Sequence, residues 1–195
     1  MPNWCFASYV IEGDKKEIDD LEQMMNRLRN MEKPAVDNGF GTDWLGCIVH
    51  ELGGDWEQVR CRGSWSDIER TGEHTVRFNT ETAWAPCNET FDLVCKHFTS
   101  LRYYYLSEEP GLCEFWTNDV NGRFFPERYH VDLCTPKEEY ESEYFKTLED
   151  ALSWLRERFS VDIKSLEDVD VLCDEWEKES PDAFCNIYEF RIDMF

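Results

Sequence analysis

The chain opens with a run of mainly apolar residues, and apolar residues then recur at helical spacing. Residues 4–12 form the first strand candidate. Both of its faces are mainly apolar, which is typical of a central strand covered on two sides. Residues 14–31 predict a helix, because Asp14 and Glu17 have the spacing of a capping box and are followed by apolar residues three or four apart. Residues 32–57 contain Pro34 and four glycines, and they predict a long connection with one short helix.

The middle of the chain predicts further strands separated by one helix. Turn residues at 67–72 separate two alternating segments, which predicts a hairpin. The predicted elements are, in order, strands around 59–65 and 76–78, a helix at 89–100, and strands at 102–106, 112–117 and 122–132. This order is β-α-β-β-α-β with an added hairpin. It predicts an α+β protein with a ferredoxin-like core and an extended antiparallel sheet.

The last third of the chain has a different pattern. A polar stretch at 136–144 precedes two capping patterns, Thr147 to Asp150 and Ser165 to Asp168, each followed by a helical apolar stripe. Residues 184–192 read as a final strand. We therefore expect two domains: residues 1–132 as the ferredoxin-like domain, with an insertion at about 32–57, and residues 133–195 as an acidic helical extension packed on or beside the core, with the final strand at its end.

Composition narrows the classes of partner. The chain has 195 residues, 42% of them hydrophobic, and a formal net charge of -22. The hydrophobic fraction is high enough to form a core. The negative net charge predicts a surface that repels phosphate backbones and anionic lipid. We expect no direct binding of nucleic acid or membrane, and a basic protein as partner. Residues 132–195 hold 19 acidic and 7 basic residues and residues 1–131 hold 23 and 13, so the shorter segment is more densely charged.

The chain shows no sequence feature of export. Its first residues carry no basic segment followed by an apolar core, so no signal peptide is expected. The nine cysteines are scattered and odd in number, which favours reduced thiols in a cytoplasmic protein.

Three local motifs resemble one family. They are the opening Met-Pro-Asn-Trp-Cys, the segment from Phe78 to Pro86, and the aromatic strand that ends in Ser-Glu-Glu-Pro-Gly at 107–111. Together they resemble the YubB-type ferredoxin-like domain proteins of plasmids, phages and related mobile elements, over about residues 1–130. The resemblance implies a ferredoxin-like fold and a mobile-element setting. It implies no activity and no catalytic residues, and residues 38–57 depart from the usual pattern.

Candidate catalytic and metal-binding motifs are sparse. Cys47 and His50 have a C-x-x-H spacing, and Cys95 and His97 follow. A structural zinc site needs four ligands in two close pairs, and Cys95 and His97 diverge by about 200° on a helix. No nucleophile elbow, papain-like cysteine, zincin or phosphate-loop motif is present. The sequence therefore predicts no cofactor, and it favours a non-enzymatic protein over an enzyme.

One cluster of basic and aromatic residues forms a candidate binding site. Arg60, Arg62 and Arg77 fall on the polar positions of two strands predicted to pair, so they are expected on one sheet face. Trp65 and Trp84 lie near strand ends, where they could stack on a ligand. Two interpretations stay open. One is an anion-binding patch. The other is a surface whose arginines pair internally with Asn79, Glu81 and acidic residues of the C-terminal segment such as Glu167, Asp168 or Asp170.

These patterns lead to two functional hypotheses. The first is a mobile-element accessory protein whose acidic surface binds a basic host or element protein, as a nucleic-acid mimic or an inhibitor. The alternative is an anion-binding, small-molecule-binding or enzymatic domain that uses the arginine and tryptophan patch.

Overall fold

The computed structural model describes residues 3–194 and shows an α+β protein, as the sequence predicts. It divides into two compact units, residues 1–118 and 119–195, which we call the N-terminal and C-terminal units. The division falls after Asn118, whereas the sequence placed it after residue 132. Among residues 3–194, every helix is too short or too polar to cross a lipid bilayer.

The N-terminal unit contains five strands, three helices and a short 3-10 turn. Its elements are β1 (Trp4–Glu12), α1 (Lys15–Arg29), α2 (Leu45–Glu51), β2 (Gly63–Gly72), β3 (Thr75–Ala83), α3 (Asn88–His97), β4 (Arg102–Glu109), the 3-10 turn (Pro110–Leu112) and β5 (Glu114–Thr117). Within this unit the strands lie in the order β2-β3-β1-β4-β5, and each neighbouring pair is antiparallel.

An aromatic cluster on β1 anchors the core of the N-terminal unit. Tyr9 lies opposite Phe78 of β3 and Tyr105 of β4, and its ring centroid is 4.2 Å from that of Phe91 on α3. Its hydroxyl donates to Asn88 Oδ1 at 2.8 Å, so the buried phenol is satisfied. One sheet face is therefore covered by helices. The other face leaves Trp4 and Phe6 44% and 53% exposed, which corrects the expectation that β1 is covered on both sides.

The predicted hairpin is correct in kind but displaced along the chain. β2 begins at Gly63, so residues 59–62 lie outside the strand, and it continues through the predicted turn at 67–72. The ladder with β3 shifts register between Ser66 and Glu69, where Asp67 has a φ of 52°. A bulge of this kind lets turn-forming residues remain within a strand. The connection to β3 is therefore made by residues 73 and 74.

The C-terminal unit combines a second sheet with two helices. Its elements are β6 (Tyr129–Cys134), β7 (Tyr140–Phe145), α4 (Leu148–Phe159), α5 (Leu166–Glu179), β8 (Phe184–Glu189) and β9 (Arg191–Ile192). The order β7-β6-β8 is antiparallel, and Val131 and Leu133 of β6 share a core with Ala151, Leu155 and Val169 of the helices. The expected helical extension is thus an α+β unit.

Two strand predictions in this region are wrong. The predicted strand at 122–132 is mostly a loop, in which the Asp119 carboxylate accepts from the backbone N–H groups of Phe124 and Phe125, while Arg128 donates to the Asp119 carbonyl oxygen. The strand itself, β6, pairs with β7 and β8. β7 lies within the stretch interpreted as a polar connection. Because it is an edge strand with mostly exposed positions, it lacks the apolar alternation that identifies a strand.

Candidate functional site

The three predicted arginines occupy two different places in the N-terminal unit. Arg60 and Arg62 lie in the segment before β2, and Arg77 lies on β3. The Ala83 N–H donates to the Arg62 carbonyl oxygen at 3.0 Å, and Arg60 Nη2 donates to the Ala83 carbonyl oxygen at 3.4 Å. Arg77 is six residues before Ala83, about 20 Å along an extended strand. The three arginines are therefore not gathered in one cluster, because Arg60 and Arg62 lie before β2 and Arg77 lies further along β3.

The two predicted tryptophans are also separated. Trp65 is only 1% exposed and belongs to the core, where its indole Nε1 has no hydrogen-bond partner among the described residues. Trp84 is 43% exposed directly after β3, with a φ of 74°, and its N–H donates to the Asn3 carbonyl oxygen at 2.9 Å. Only Trp84 is therefore placed to contact a partner.

An exposed aromatic patch lies where Trp84 ends β3. Trp4 pairs with Ala83 across the ladder, and Phe6 is two residues further on the same face of β1. We call Trp4, Phe6 and Trp84 the aromatic patch. The pattern of β1 contained these residues, but its apolar positions on both faces suggested burial. Arg60 and Arg62 lie beside the patch, and no ion pair joins either of them to a carboxylate of the described N-terminal unit.

The cysteines near this patch are weakly nucleophilic. Burial raises the pKa of Cys5 and of Cys87 to about 12, and that of Cys61 to about 11. These thiols stay protonated at neutral pH, and a thiol is a weak nucleophile compared with a thiolate. All nine cysteines are unpaired thiols.

The suspected metal ligands are not gathered together. Cys47 is buried on α2 whereas His50 on the same helix is exposed, and Cys95 is half-buried whereas His97 is exposed on α3. Across residues 3–194, no three histidine, cysteine, aspartate or glutamate side chains are arranged so that they could hold a metal ion.

Helix α5 presents an acidic face to solvent. Its first turn is fixed by Ser165 and Asp168 in a capping box, as the sequence predicts, and Val169 and Leu172 are buried. The outward acidic residues recur three or four positions apart, so they lie along one side of the helix. We call this set the acidic stripe: Glu167, Asp170, Asp174 and Glu177.

The acidic stripe has no internal counter-charge. Within the described part of the C-terminal unit, none of its four carboxylates forms an ion pair with a lysine or arginine. The whole helix holds seven acidic residues and one lysine, a net charge of -6. A helix of 14 residues is about 21 Å long, which gives about one charge per 3.5 Å. One strand of duplex DNA carries one charge per about 3.4 Å.

A groove of about 390 Å³ opens in the C-terminal unit where α4 and α5 end. One wall is aromatic: the ring centroids of Phe159 and Trp176 are 5.1 Å apart with an edge-on geometry of 79°. The rim is charged. The lining residues are Thr135, Pro136, Lys137, Glu139, Arg158, Phe159, Val161, Trp176 and Glu179.

The charged residues on the groove rim differ in whether they form ion pairs. Arg158 Nη2 donates to Glu141 Oε1 at 2.6 Å and Arg158 Nε donates to Glu141 Oε2 at 3.2 Å, so this guanidinium is neutralised by a two-point ion pair. Glu139 and Glu179 form no ion pair in the described unit. Sequence reasoning missed this groove, because its residues come from three separate elements.

No family model, no curated protein and no solved structure matches this chain.

Proposed function

We propose that this protein is a non-enzymatic accessory protein of a plasmid, phage or other mobile element, which acts in the cytoplasm by binding a basic, nucleic-acid-binding protein. The acidic stripe of α5 is the contact surface, and it imitates a phosphate track. The observation that carries the proposal is the charge of α5: the helix has a net charge of -6 over about 21 Å, a density close to that of one DNA strand, and the four carboxylates of the acidic stripe form no ion pair among the described residues of their unit.

The proposed setting rests on the family resemblance and on topology. The N-terminal unit has β1-α1-β2-β3-α3-β4 with the strand order β2-β3-β1-β4, all antiparallel, and α2 lies in the insertion between α1 and β2. This order supports a ferredoxin-like domain with one further strand, β5. A ferredoxin-like N-terminal domain fits the YubB-type resemblance of the three sequence motifs, which covers about residues 1–130, and the acidic C-terminal unit lies largely outside that resemblance.

Electrostatics explain why an acidic stripe would select a basic groove. Complementary charge accelerates encounter and disfavours anionic competitors, including nucleic acid itself. Such binding weakens as salt rises, because the screening length falls from about 10 Å at 0.1 M to about 3 Å at 1 M. A partner that normally grips DNA would release it when the stripe occupies its groove.

The test is a comparison of two variants with equal charge change. One variant neutralises the stripe: Glu167→Gln, Asp170→Asn, Asp174→Asn and Glu177→Gln. The control neutralises four exposed acidic residues of the N-terminal unit: Glu32→Gln, Asp37→Asn, Glu57→Gln and Glu73→Gln. Each protein is immobilised on a resin and incubated with host lysate at about 0.05 M and about 0.5 M salt, with and without added duplex DNA.

We expect the wild type and the control to retain a basic protein at low salt, and to lose it at high salt or when duplex DNA competes. The stripe variant should retain little of it. Failure of the wild type to retain any basic protein at low salt, or equal retention by the stripe variant, contradicts the proposal.

A second candidate function has one specific observation in its favour. Arg60 and Arg62 make no ion pair with the described residues of an acidic unit, and they adjoin the exposed aromatic patch. Guanidinium groups beside aromatic rings suit an anionic small molecule with a flat ring. An Arg60→Ala, Arg62→Ala variant that loses binding of such a ligand, in a manner that depends weakly on salt, would favour this function over the first.

A further inference from the structure

The groove at the ends of α4 and α5 has the dimensions of a site for one long side chain. Its volume of about 390 Å³ lies at the lower end of the range for small-molecule sites, about 300–1,000 Å³. Its wall combines Phe159 and Trp176, whose rings are held in place by their mutual edge-on contact. On the opposite side, the turn at 135–139 is fixed by a 2.9 Å hydrogen bond from the Thr135 N–H to the Glu139 carbonyl oxygen.

The electrostatic field at the groove favours a cation. Both helices end there, α4 at Phe159 and α5 at Glu179, and the carboxyl end of a helix carries a partial negative charge. Glu139 and Glu179 add two carboxylates that form no ion pair among the described residues of the unit, although Glu139 also acts electrostatically on Arg158. Against these, Arg158 is neutralised by Glu141, which leaves Lys137 as the opposing charge on the rim.

The groove already shows how a guanidinium fits against its wall. Arg158 Cζ lies 5.4 Å from the ring centroid of Phe159, within the range of a cation–π contact. Tryptophan is the strongest partner for such contacts, and Trp176 offers the neighbouring ring. An arginine suits the site better than a lysine, because its flat guanidinium can both stack on a ring and bind a carboxylate at two points.

We propose that this groove binds an arginine side chain of a partner protein, held between the carboxylates of Glu139 and Glu179 and against the ring of Trp176. The inference rests on the proposed function in that the partner is basic, and it adds an anchor beside the acidic stripe. The stripe supplies salt-dependent attraction over a distance. The groove supplies a partly desolvated contact for one side chain, the kind of contact that dominates binding energy at interfaces.

The test uses the whole chain and a probe that does not require the partner. N-acetyl-arginine amide is titrated into isotope-labelled protein while the indole N–H resonance of Trp176 is followed by nuclear magnetic resonance. The Trp176→Phe variant assigns that resonance. N-acetyl-citrulline amide, which has nearly the same shape without the charge, serves as the matched probe.

We expect the arginine probe to shift the Trp176 resonance in a saturable manner and to bind roughly tenfold more tightly than the citrulline probe. The Glu139→Gln, Glu179→Gln variant should weaken the arginine probe by about the same factor, with an unchanged circular dichroism spectrum. Its control is Glu143→Gln with Glu157→Gln, which makes the same charge change at exposed positions of the same unit. Equal binding of the two probes, or an unchanged affinity in the Glu139 and Glu179 variant, overturns the proposal.

The two proposals fail in different ways. If the partner is lost with the stripe variant but retained by the groove variant, and the arginine probe does not bind, then the groove inference fails while the proposed function stands. If no basic partner is captured but the probe binds with the expected selectivity, the proposed function fails and the groove remains an arginine site.

Discussion

Helix α1 in the N-terminal unit and helix α5 in the C-terminal unit have nearly the same length, but α1 is balanced in charge and α5 is strongly negative. On α1, Lys15 pairs with Asp19 at 2.7 Å and Lys16 pairs with Asp20 at 2.6 Å. Arg70 of β2 adds contacts to Asp19 at 2.8 Å and to Glu22 at 3.0 Å. The acidic stripe of α5 makes no such pair within its unit.

The difference shows that a count of acidic residues does not measure the charge available to a partner. Helix α1 holds four acidic and four basic residues, so its field largely cancels at short range. Helix α5 holds seven acidic residues and one lysine, so its field extends into solvent. Charge is therefore less compensated on α5 than on α1, which is why the proposed partner is placed there.

The comparison of the two helix surfaces requires that both units have a well-packed core. Phe91→Ala in the N-terminal unit should lower the free energy of unfolding by about 3–5 kcal/mol, and Leu155→Ala in the C-terminal unit by about 2–5 kcal/mol. Both side chains are almost fully buried. Urea unfolding followed by circular dichroism gives both values.

The matched control for Phe91→Ala is Phe6→Ala, which removes the same side chain from a position 53% exposed. Its cost should stay below that of Phe91→Ala by at least about 2 kcal/mol. A Phe91→Ala variant no less stable than Phe6→Ala would show that the aromatic cluster around Tyr9 does not support the unit as described.

The elements of the fold that were predicted well have a strong local pattern. β1 matches its predicted bounds because its nine mainly apolar residues run without a break from Trp4 to Glu12 and are followed by Gly13. The starts of α4 and α5 follow from Thr147 and Ser165, whose hydroxyls accept from backbone N–H groups three residues later. These patterns depend on neighbours in sequence, and sequence alone contains them.

The misplaced elements depend on contacts that a local pattern does not contain. β2 continues through turn-forming residues because β3 supplies hydrogen bonds across two register shifts. β7 is a strand only because β6 pairs with it. The candidate site follows the same logic: Trp65 and Trp84 look alike in sequence, yet one is buried in the core and the other closes a strand with its ring exposed.

A buried histidine in the C-terminal unit extends the comparison to a side chain that becomes positively charged when it is protonated. His130 lies on β6 with its Nε2 at 2.8 Å from Ser142 Oγ, and burial lowers its pKa although Asp132 acts in the other direction. The unfolded chain then binds a proton more readily than the folded one. Stability is therefore complete above the unfolded value of about 6.5 and falls as the pH drops through it.

We expect wild-type protein to lose stability between about pH 7.5 and pH 5.5, and the His130→Gln variant to lose less over the same interval. Urea midpoints at the two pH values measure the difference. His97→Gln, at an exposed position, should behave like the wild type. An equal loss in the His130→Gln and wild-type proteins would mean that other groups carry the pH dependence.

The smallest expected effect tests the comparison most directly, because the same chemical change should have opposite signs on the two helices. Asp170→Asn with Asp174→Asn relieves a repulsion between like charges four residues apart on α5, which costs about 0.2–0.5 kcal/mol per pair at low salt. The melting temperature should rise slightly. Asp19→Asn with Asp20→Asn removes the partners of Lys15, Lys16 and Arg70 on α1, so the melting temperature should fall.

Both differences should shrink at about 1 M salt, where exposed charges are screened within about 3 Å. If both double variants shift the melting temperature in the same direction, the two helices do not differ in how their charge is compensated. That result would contradict the assignment of the acidic stripe as the binding surface.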